Sequence, residues 1–350
     1  MPPDPSLWAV ILAGGAGSRF WPVSTPSRPK QLLPLAGPDP LITATIERIL
    51  PLVPLDRIRI LAGQPLVKPI RRVVPQLDDG HFLIEPRVRG TAAILAWAAH
   101  EIARQDPDGV MLSLHSDHAI QPAAAFRDLL SDAAVIARRE KLLLTIGARP
   151  DRPETGYGYI RPGETLEGGA QRVAQFIEKP DRATAERYIG DGYLWNTGIF
   201  VFPVGVFLDQ LREHTPELGA LLPLLDAGDV HSFFEQVPNL TIDVGLMERT
   251  DRVGVMGATF EWDDVGSWDA VLRTRTPDAD GNVLHGDAYA VDTSGSVVWS
   301  EDGSVVVFGA EDMVVVRTKG VTLVSPRSRV GDLKKLIEQL PDHLVRGDDG

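Results

Sequence analysis

Trp8-Ala-Val-Ile-Leu-Ala-Gly-Gly-Ala-Gly-Ser-Arg-Phe-Trp-Pro-Val-Ser-Thr-Pro-Ser-Arg-Pro-Lys-Gln31 is the stretch on which the reading of the whole chain turns. Its apolar run, residues 9–12, predicts a buried parallel strand. Gly14, Gly15 and Gly17 follow, and glycines at a strand end let the backbone bend sharply and present bare N–H groups to an anion. Arg19, Arg28 and Lys30 come next, so the anion suggested is a polyphosphate. A dinucleotide loop needs Gly-x-Gly-x-x-Gly running straight into a helix, whereas here Phe-Trp-Pro follows; a P-loop needs a closing Gly-Lys-Ser/Thr, which is missing. The loop by itself also fits a glycine turn with incidental charges. Arg19 and the Pro29-Lys30 pair, which aims a cation back from an extended segment, favour phosphate.

Working outward, strand-like runs at residues 58–62, 82–84, 110–114 and 142–146 alternate with helix-like segments at 41–49, 67–74, 91–104 and 123–140. That alternation predicts an α/β fold, a Rossmann-like and mostly parallel sheet flanked by helices and joined by right-handed crossovers. Ligands of such sheets bind beyond the carboxyl ends of the strands, so the loops after Leu12, Ile84 and Leu114 are the places to look. Residues 148–160 form a Pro- and Gly-rich loop, followed by strands at 172–177, 199–202 and 253–256 and helices at 182–189, through 221–225 and at 267–275. From about Asn282 short β-branched runs recur, with turns at Asp302-Gly303 and Lys319-Gly320. They predict a small β-rich appendage of loosely repeated strands, too irregular to assign as a solenoid, and a last helix at 330–340. The expected domains are residues 1–278, catalytic, and 279–350, the β-rich C-terminal domain.

The 43% hydrophobic and 24% charged composition is that of an ordinary globular protein. A formal net charge of −13 argues against general binding to nucleic acid or acidic membranes, so an anionic substrate has to be met by local cations. Cysteine is absent, which removes disulfides, thiolate metal sites and a cysteine nucleophile. The start, Met1-Pro-Pro-Asp-Pro-Ser6, has no basic or apolar segment of a signal peptide, and no run approaches the roughly 20 apolar residues of a membrane span. A cytoplasmic protein without a membrane partner is expected.

Carboxylates, a lysine and an amide stand at predicted strand ends. In Leu114-His-Ser-Asp117-His118, Asp117 fits either a helix cap or a ligand for a hard cation, since phosphates recruit Mg²⁺ held by one or two carboxylates. The two histidines lack a matching third ligand for zinc. Glu261-Trp-Asp-Asp264-Val-Gly-Ser-Trp268 offers a second carboxylate, or a second cap, with Trp262 and Trp268 as packing residues. Phe176-Ile-Glu178-Lys179-Pro180 ends a strand with an acid beside a base; strand neighbours face opposite ways, so the two should serve different ligands or different parts of one. Asn196, in Trp195-Asn-Thr-Gly198, suits sugar hydroxyls or a turn. Glu85 suits the two adjacent donors of guanine, N1–H and the exocyclic amine, while Thr91 suits the same pocket or a helix cap.

Taken in order, these motifs resemble the sugar-nucleotidyltransferase family, on its branch that joins GTP to mannose 1-phosphate. Leu12-Ala-Gly-Gly-Ala-Gly-Ser-Arg19, Pro29-Lys-Gln31, Glu85-Pro-Arg-Val-Arg-Gly-Thr91 and Ser116-Asp-His118 carry the first half of the likeness. Pro153-Glu-Thr-Gly-Tyr-Gly-Tyr-Ile160, Phe176-Ile-Glu-Lys-Pro180, Trp195-Asn-Thr-Gly198, Trp262-Asp-Asp-Val-Gly-Ser-Trp268 and Val314-Val-Val-Arg-Thr-Lys-Gly-Val-Thr-Leu-Val324 carry the rest. The chain departs from the family at Gly90-Thr-Ala-Ala93, where Asn-Thr-Ala-Pro is usual, and at Leu114-His115, where Phe-Pro is usual. The resemblance implies attack of mannose 1-phosphate on the α-phosphorus of GTP; the isomerase domain fused in longer relatives does not fit in this length, so transferase activity only is expected. It implies Arg19 and Lys30 on the triphosphate and Lys179 on the sugar phosphate. Leu12, Gly14, Gly15 and Gly17 would form the nucleotide loop, joined by Glu85 and Thr91. Gly156, Glu178 and Asn196 would contact the sugar, and Asp117 and Asp264 would hold Mg²⁺ or another divalent cation. A homodimer through the C-terminal domain is implied too. Transfer to another sugar 1-phosphate or from another NTP, and a catalytically silent sugar-nucleotide-binding protein, are the rival readings.

Overall fold

The computed structural model describes residues 6–15 and 17–346, with the side chain of residue 346 left aside. The Ala16 of the glycine loop, the first five residues and the last four therefore lie outside the described residues. The core is a nine-stranded sheet in the order β3-β2-β1-β4-β9-β6-β10-β8-β7. Its strands are β1 (Leu7–Leu12), β2 (Ile58–Ala62), β3 (Phe82–Ile84), β4 (Val110–His115), β6 (Leu143–Ala148), β7 (Tyr159–Thr165), β8 (Gln171–Ile177), β9 (Leu194–Pro203) and β10 (Val253–Gly257). Between β4 and β6 the chain also makes a short strand, β5 (Ala119–Gln121), which pairs antiparallel with β11 (Glu261–Asp263).

β1 reads as an unbroken apolar run because both of its faces are covered. Leu7, Ala9 and Ile11 pack with α1 (Leu41–Ile49), α2 (Gln64–Val73) and α4 (Ala123–Glu140), while Trp8 and Val10 pack with α3 (Gly90–Gln105) and the helix Val204–His214. The α/β class with helices on both faces is as expected. The sheet is nonetheless more mixed than the alternation suggests. β1 is parallel to β2 and β4, and β10 to β6, but β9 runs antiparallel to both β4 and β6. The cause is the hairpin β7–β8, which needs no crossover helix and delivers the chain to β9 from the opposite end. Hydrophobic periodicity carries no strand direction. The reversal matters for the site, because Trp195 and Asn196, near the start of β9, pair with Ala148 and Gly147 at the end of β6. They thus sit at the same edge as the loops after β1 and β4.

Beyond the sheet, β12 (Val283–His285), β14 (Val297–Ser300) and β16 (Met313–Thr318) stack in parallel, β13 (Ala288–Val291) stacks on β15 (Val305–Phe308), and β17 (Val321–Pro326) closes antiparallel on β16. This is a short parallel β-coil, regular in space though not in sequence. Val283 pairs with Val297 and Val297 with Val314, intervals of 14 and 17 residues, so no fixed period shows in the chain. The expected last helix is broken into a 3-10 turn (Arg327–Asp332) and two short helices, Leu333–Ile337 and Asp342–Arg346.

The coil is fused to the segment that carries the opening motif. Phe20, Trp21, Val23, Leu33 and Leu35 share one buried cluster with Trp268, Val297, Trp299 and Val316. Trp268 meets Phe20 and Trp299 edge-on, at ring separations of 5.3 and 5.5 Å, and its indole N–H donates to the Trp21 carbonyl at 3.2 Å. Arg275 lies over the Trp299 ring at 5.0 Å and donates to the carbonyls of Leu35 and Gly37. Trp299 is fully buried, so Trp299→Ala should destabilise the chain by about 3–5 kcal/mol through the cavity it leaves. Denaturant unfolding followed by circular dichroism would measure the loss, and a change below about 1 kcal/mol would mean that the coil does not brace this segment.

Candidate active site

The glycine loop divides by task. Gly14 and Gly15 face open space, with no atom within 4 Å of where a side chain would begin. Gly17 does the opposite. Its φ is +61°, and a Cβ there would lie 2.5 Å from the Lys30 Cβ and 2.9 Å from the Ser24 Oγ. Only glycine lets the segment bearing Lys30 come this close.

Lys30 is the centre of the site. Its ammonium lies 2.8 Å from Oδ2 of Asp117 and donates to the carbonyls of Asp264 and Val265 at 2.9 and 3.1 Å. An ammonium has three protons, so this one is fully used, and it draws the loops after β1, β4 and β11 together. The carboxylate of Asp264 points elsewhere: its Oδ1 accepts from the Tyr157 hydroxyl at 2.6 Å. Burial raises the Asp264 carboxyl above its ordinary value, against the pull of the Tyr157 hydroxyl and of the Lys30 and Arg19 cations. Burial and the Asp264 charge likewise push the Tyr157 phenol far up, so it stays protonated and donating. The adjacent Asp263 is structural, accepting from Arg273 at 2.7 Å and from the Val265 N–H at 2.8 Å. Arg19 is exposed, with no ion pair among the described residues.

Oxygen donors of the Asp117 and Asp264 kind are those a hard divalent cation takes, and here the two carboxylates hold different partners, Lys30 and Tyr157. Asp117 and Asp264 reach the same ammonium from two loops, one through its carboxylate and the other through its backbone carbonyl. His115, Asp117 and His118 also place ligand atoms within 4.8 Å of one another. Ligation by His118 is disfavoured, however, because its Nδ1 accepts the Trp262 indole N–H at 3.1 Å. Burial holds that ring neutral, so its one proton sits on Nε2 and no lone pair is left for a metal. The ring instead stacks on His115 at 4.6 Å and packs edge-on against Trp262.

The sugar-side candidates cluster around Tyr157. The Lys179 N–H donates to the Tyr157 carbonyl and the Asn196 N–H to the Gly158 carbonyl, at 3.2 and 2.8 Å. The Gly156 N–H donates to Oε1 of Glu154 at 3.1 Å. Glu178 and Lys179 do not diverge as strand neighbours would. β8 has already ended at Ile177, Lys179 takes a left-handed φ of +50°, and the two side chains form an ion pair with each other. The expectation of separate directions fails for that reason. Glu178 also lies where a Cβ on Gly158 would be 2.8 Å from its Oε2. Asn196 donates to Asp243 Oδ1 at 2.8 Å, and its own Oδ1 accepts from Thr145 Oγ1 and the Gly198 N–H at 3.0 and 3.2 Å.

Glu85 and Thr91 sit farther along the same edge. Glu85 is half-buried with its carboxyl raised by burial, and its N–H donates to the Ala62 carbonyl at 3.2 Å. Thr91 is not a helix cap, since Arg89 holds that position in α3; its hydroxyl accepts from the Ile242 N–H at 2.8 Å. Tyr157 and Asp243 had no role in the sequence reading. The glycines on either side of Tyr157 were a signal for the first. Asp243 lies in a π-helical turn (Asp243–Met247), whose wide period leaves no pattern to read.

The chain is similar in sequence and in structure to known proteins. The family model described as nucleotidyl transferase matches residues 8–280, and that of the MannoseP isomerase/GMP-like beta-helix domain matches residues 286–340. A mannose-1-phosphate guanylyltransferase of Salmonella typhimurium is 39% identical, over 95% of this chain and 73% of its own length. One of Escherichia coli is 38% identical over the same shares. A solved structure described as mannose-1-phosphate geranyltransferase from Thermus thermophilus superposes with a TM-score of 0.88 at 35% identity, covering 95% of this chain and 99% of the other.

Burial, and then the nearby Glu178 charge, raise the Asp243 carboxyl to about 6, opposed by Asn196 and Lys179. The folded chain therefore holds an extra proton between its unfolded value, about 4, and about 6, so stability falls as pH rises through that window. Asp243→Asn removes this penalty. Its Tm relative to the native chain should be higher by several degrees at about pH 8 than at about pH 4. An equal difference at both values would contradict the assignment.

Proposed function

Since the chain belongs to the nucleotidyl transferase family, we propose that it makes GDP-mannose and pyrophosphate from GTP and mannose 1-phosphate. The observation that carries this reading is the Lys30 ammonium joining Asp117 to the Asp264 turn at the ligand edge of the sheet. An oxygen of the sugar phosphate attacks the α-phosphorus, a new P–O bond forms, and the α–β bridging bond breaks to release pyrophosphate. The nucleophile has a second pKa of about 6 and is already mostly ionised at neutral pH. No general base is needed, which agrees with a His118 whose one free lone pair already accepts the Trp262 indole N–H. What the reaction needs is charge neutralisation and alignment of two anions.

In this reading Arg19, exposed beside the loop, and Lys30 neutralise the triphosphate, and Lys179 exchanges Glu178 for the sugar phosphate. Leu12, Gly14, Gly15 and Gly17 form the wall along which the nucleotide lies. Glu85, with no side-chain partner among the described residues, accepts N1–H and the exocyclic amine of guanine, and Thr91 supports that pocket. Gly156, Glu178 and Asn196 meet the sugar. Asp117 and Asp264 hold a divalent cation, Mg²⁺ in this reading, which when bound neutralises phosphate charge and orients both substrates. Residues 1–278 form the catalytic domain and 279–350 the β-rich one. A second copy of the chain covers the outer face of the coil, where Tyr289, Val291, Val306 and Phe308 are 50–73% exposed. No helix of the described residues is long and apolar enough to cross a membrane.

Pyrophosphate release across the common NTPs, each paired with mannose, glucose and heptose 1-phosphates, tests the reading. GTP with mannose 1-phosphate should give the highest kcat/KM. Preference for another pair would overturn the substrates, and no release with any pair would favour a silent binding protein. Asp117→Ala and Asp264→Ala should each lower kcat by about a hundredfold at limiting Mg²⁺, and Lys30→Ala should depress kcat/KM. Near-native values would remove the corresponding residue from its role.

A further inference from the structure

Every hydrogen-bonding capacity of the Asn196 amide except one N–H is already occupied within the fold. The Gly198 N–H can only donate, so the group it meets at 3.2 Å is the amide oxygen; Thr145 Oγ1 donates to that oxygen at 3.0 Å in preference to the Ile199 carbonyl, which lies farther off at 3.4 Å. The carboxylate of Asp243 accepts from Nδ2 at 2.8 Å. The amide therefore cannot flip, and one N–H remains. Asp243 is itself held in place. Its π turn closes with the Glu248 N–H on the Asp243 carbonyl at 2.9 Å, and the turn is entered at Ile242, whose N–H is fixed by Thr91.

From this arrangement we infer that Asp243 and Thr145 are positioning residues that make Asn196 a donor-only reader of one sugar hydroxyl. The inference rests on the placement of the sugar beside Asn196 given above. It assigns a use to two side chains that need not touch substrate: Thr145 is fully buried inside β6, and Asp243 acts through the amide. Neighbouring Glu178 is acceptor-only, so the two readers demand opposite roles of the hydroxyls they meet. A sugar epimer that turns a hydroxyl away leaves a half-buried N–H without a partner, and that mismatch is a larger source of discrimination than lost packing.

The test uses Thr145→Val, which keeps volume and removes the hydroxyl, together with Asp243→Leu and Asp243→Asn. Steady-state kinetics are run on whichever sugar 1-phosphate the native chain turns over best, so a wrong mannose assignment and a wrong role for Asn196 are read out separately. Thr145→Val and Asp243→Leu should raise KM for the sugar phosphate about tenfold, with kcat and the NTP KM within about twofold, because the contact is remote from the reacting phosphorus. Asp243→Asn retains an acceptor and should stay near the native KM. Across a panel of monodeoxy sugar 1-phosphates, the analogue most penalised by the native chain should lose that penalty in Thr145→Val. A purely structural role would lower Tm and leave the analogue ranking unchanged. Should Asp243→Leu fail to fold, Thr145→Val alone decides: a native sugar KM and a native ranking would overturn the inference.

Discussion

One ammonium group, Nζ of Lys30, holds the site together. Its three protons go to the Asp117 carboxylate and to two consecutive carbonyls of the Asp264–Val265 turn. Both ionic partners are largely shielded, at 13% and 19% side-chain exposure, so the pair is not one of the weak surface contacts that salt screens away. Removing the cation would leave a carboxylate and two carbonyls poorly compensated, which costs more than the pair's net worth. The rest of the local structure serves this contact. Gly17 clears space for the Lys30 backbone, and the Tyr157 hydroxyl takes the carboxylate that Lys30 leaves free.

The β-coil belongs to the same device. Phe20, Trp21, Leu33 and Leu35 come from the segment that carries Lys30, and they are buried against Trp268 and the valines of the coil. Arg28, two residues before Lys30, pairs with Glu301 of the coil at 2.7 Å rather than turning to the site. A proline-rich loop with little regular structure of its own is in this way fixed in place by buried packing and an ion pair. That rigidity is what transfer between two repelling anions requires.

The fold class was legible because it rests on local signals. An unbroken apolar run marks β1 and glycines mark the loop, whereas Asp117 and Asp264 were paired only through the family resemblance, and the fold brings both to the Lys30 ammonium. What stayed hidden depends on direction or on conformations outside the usual regions. The antiparallel course of β9, which brings Asn196 to the ligand edge, follows from a hairpin whose orientation no periodicity encodes. The left-handed Lys179 turns an expected divergence into an ion pair. Asp243 escaped because a π turn offers no repeat, and the coil escaped because its turns differ in length. Tyr157 was in view within its motif, but only the fold shows that its hydroxyl finds Asp264, 107 residues away in sequence.

The most direct test of this account is the melting temperature of Lys30→Met, measured with and without Mg²⁺. The substitution keeps the length of the side chain and removes the charge. The account predicts a Tm lower by several degrees without metal, partly restored by Mg²⁺, which gives Asp117 a new counter-charge, while the native chain changes little. An unchanged Tm, or one indifferent to Mg²⁺ after a loss, would contradict the claim that a cation between Asp117 and the Asp264 turn holds the site together.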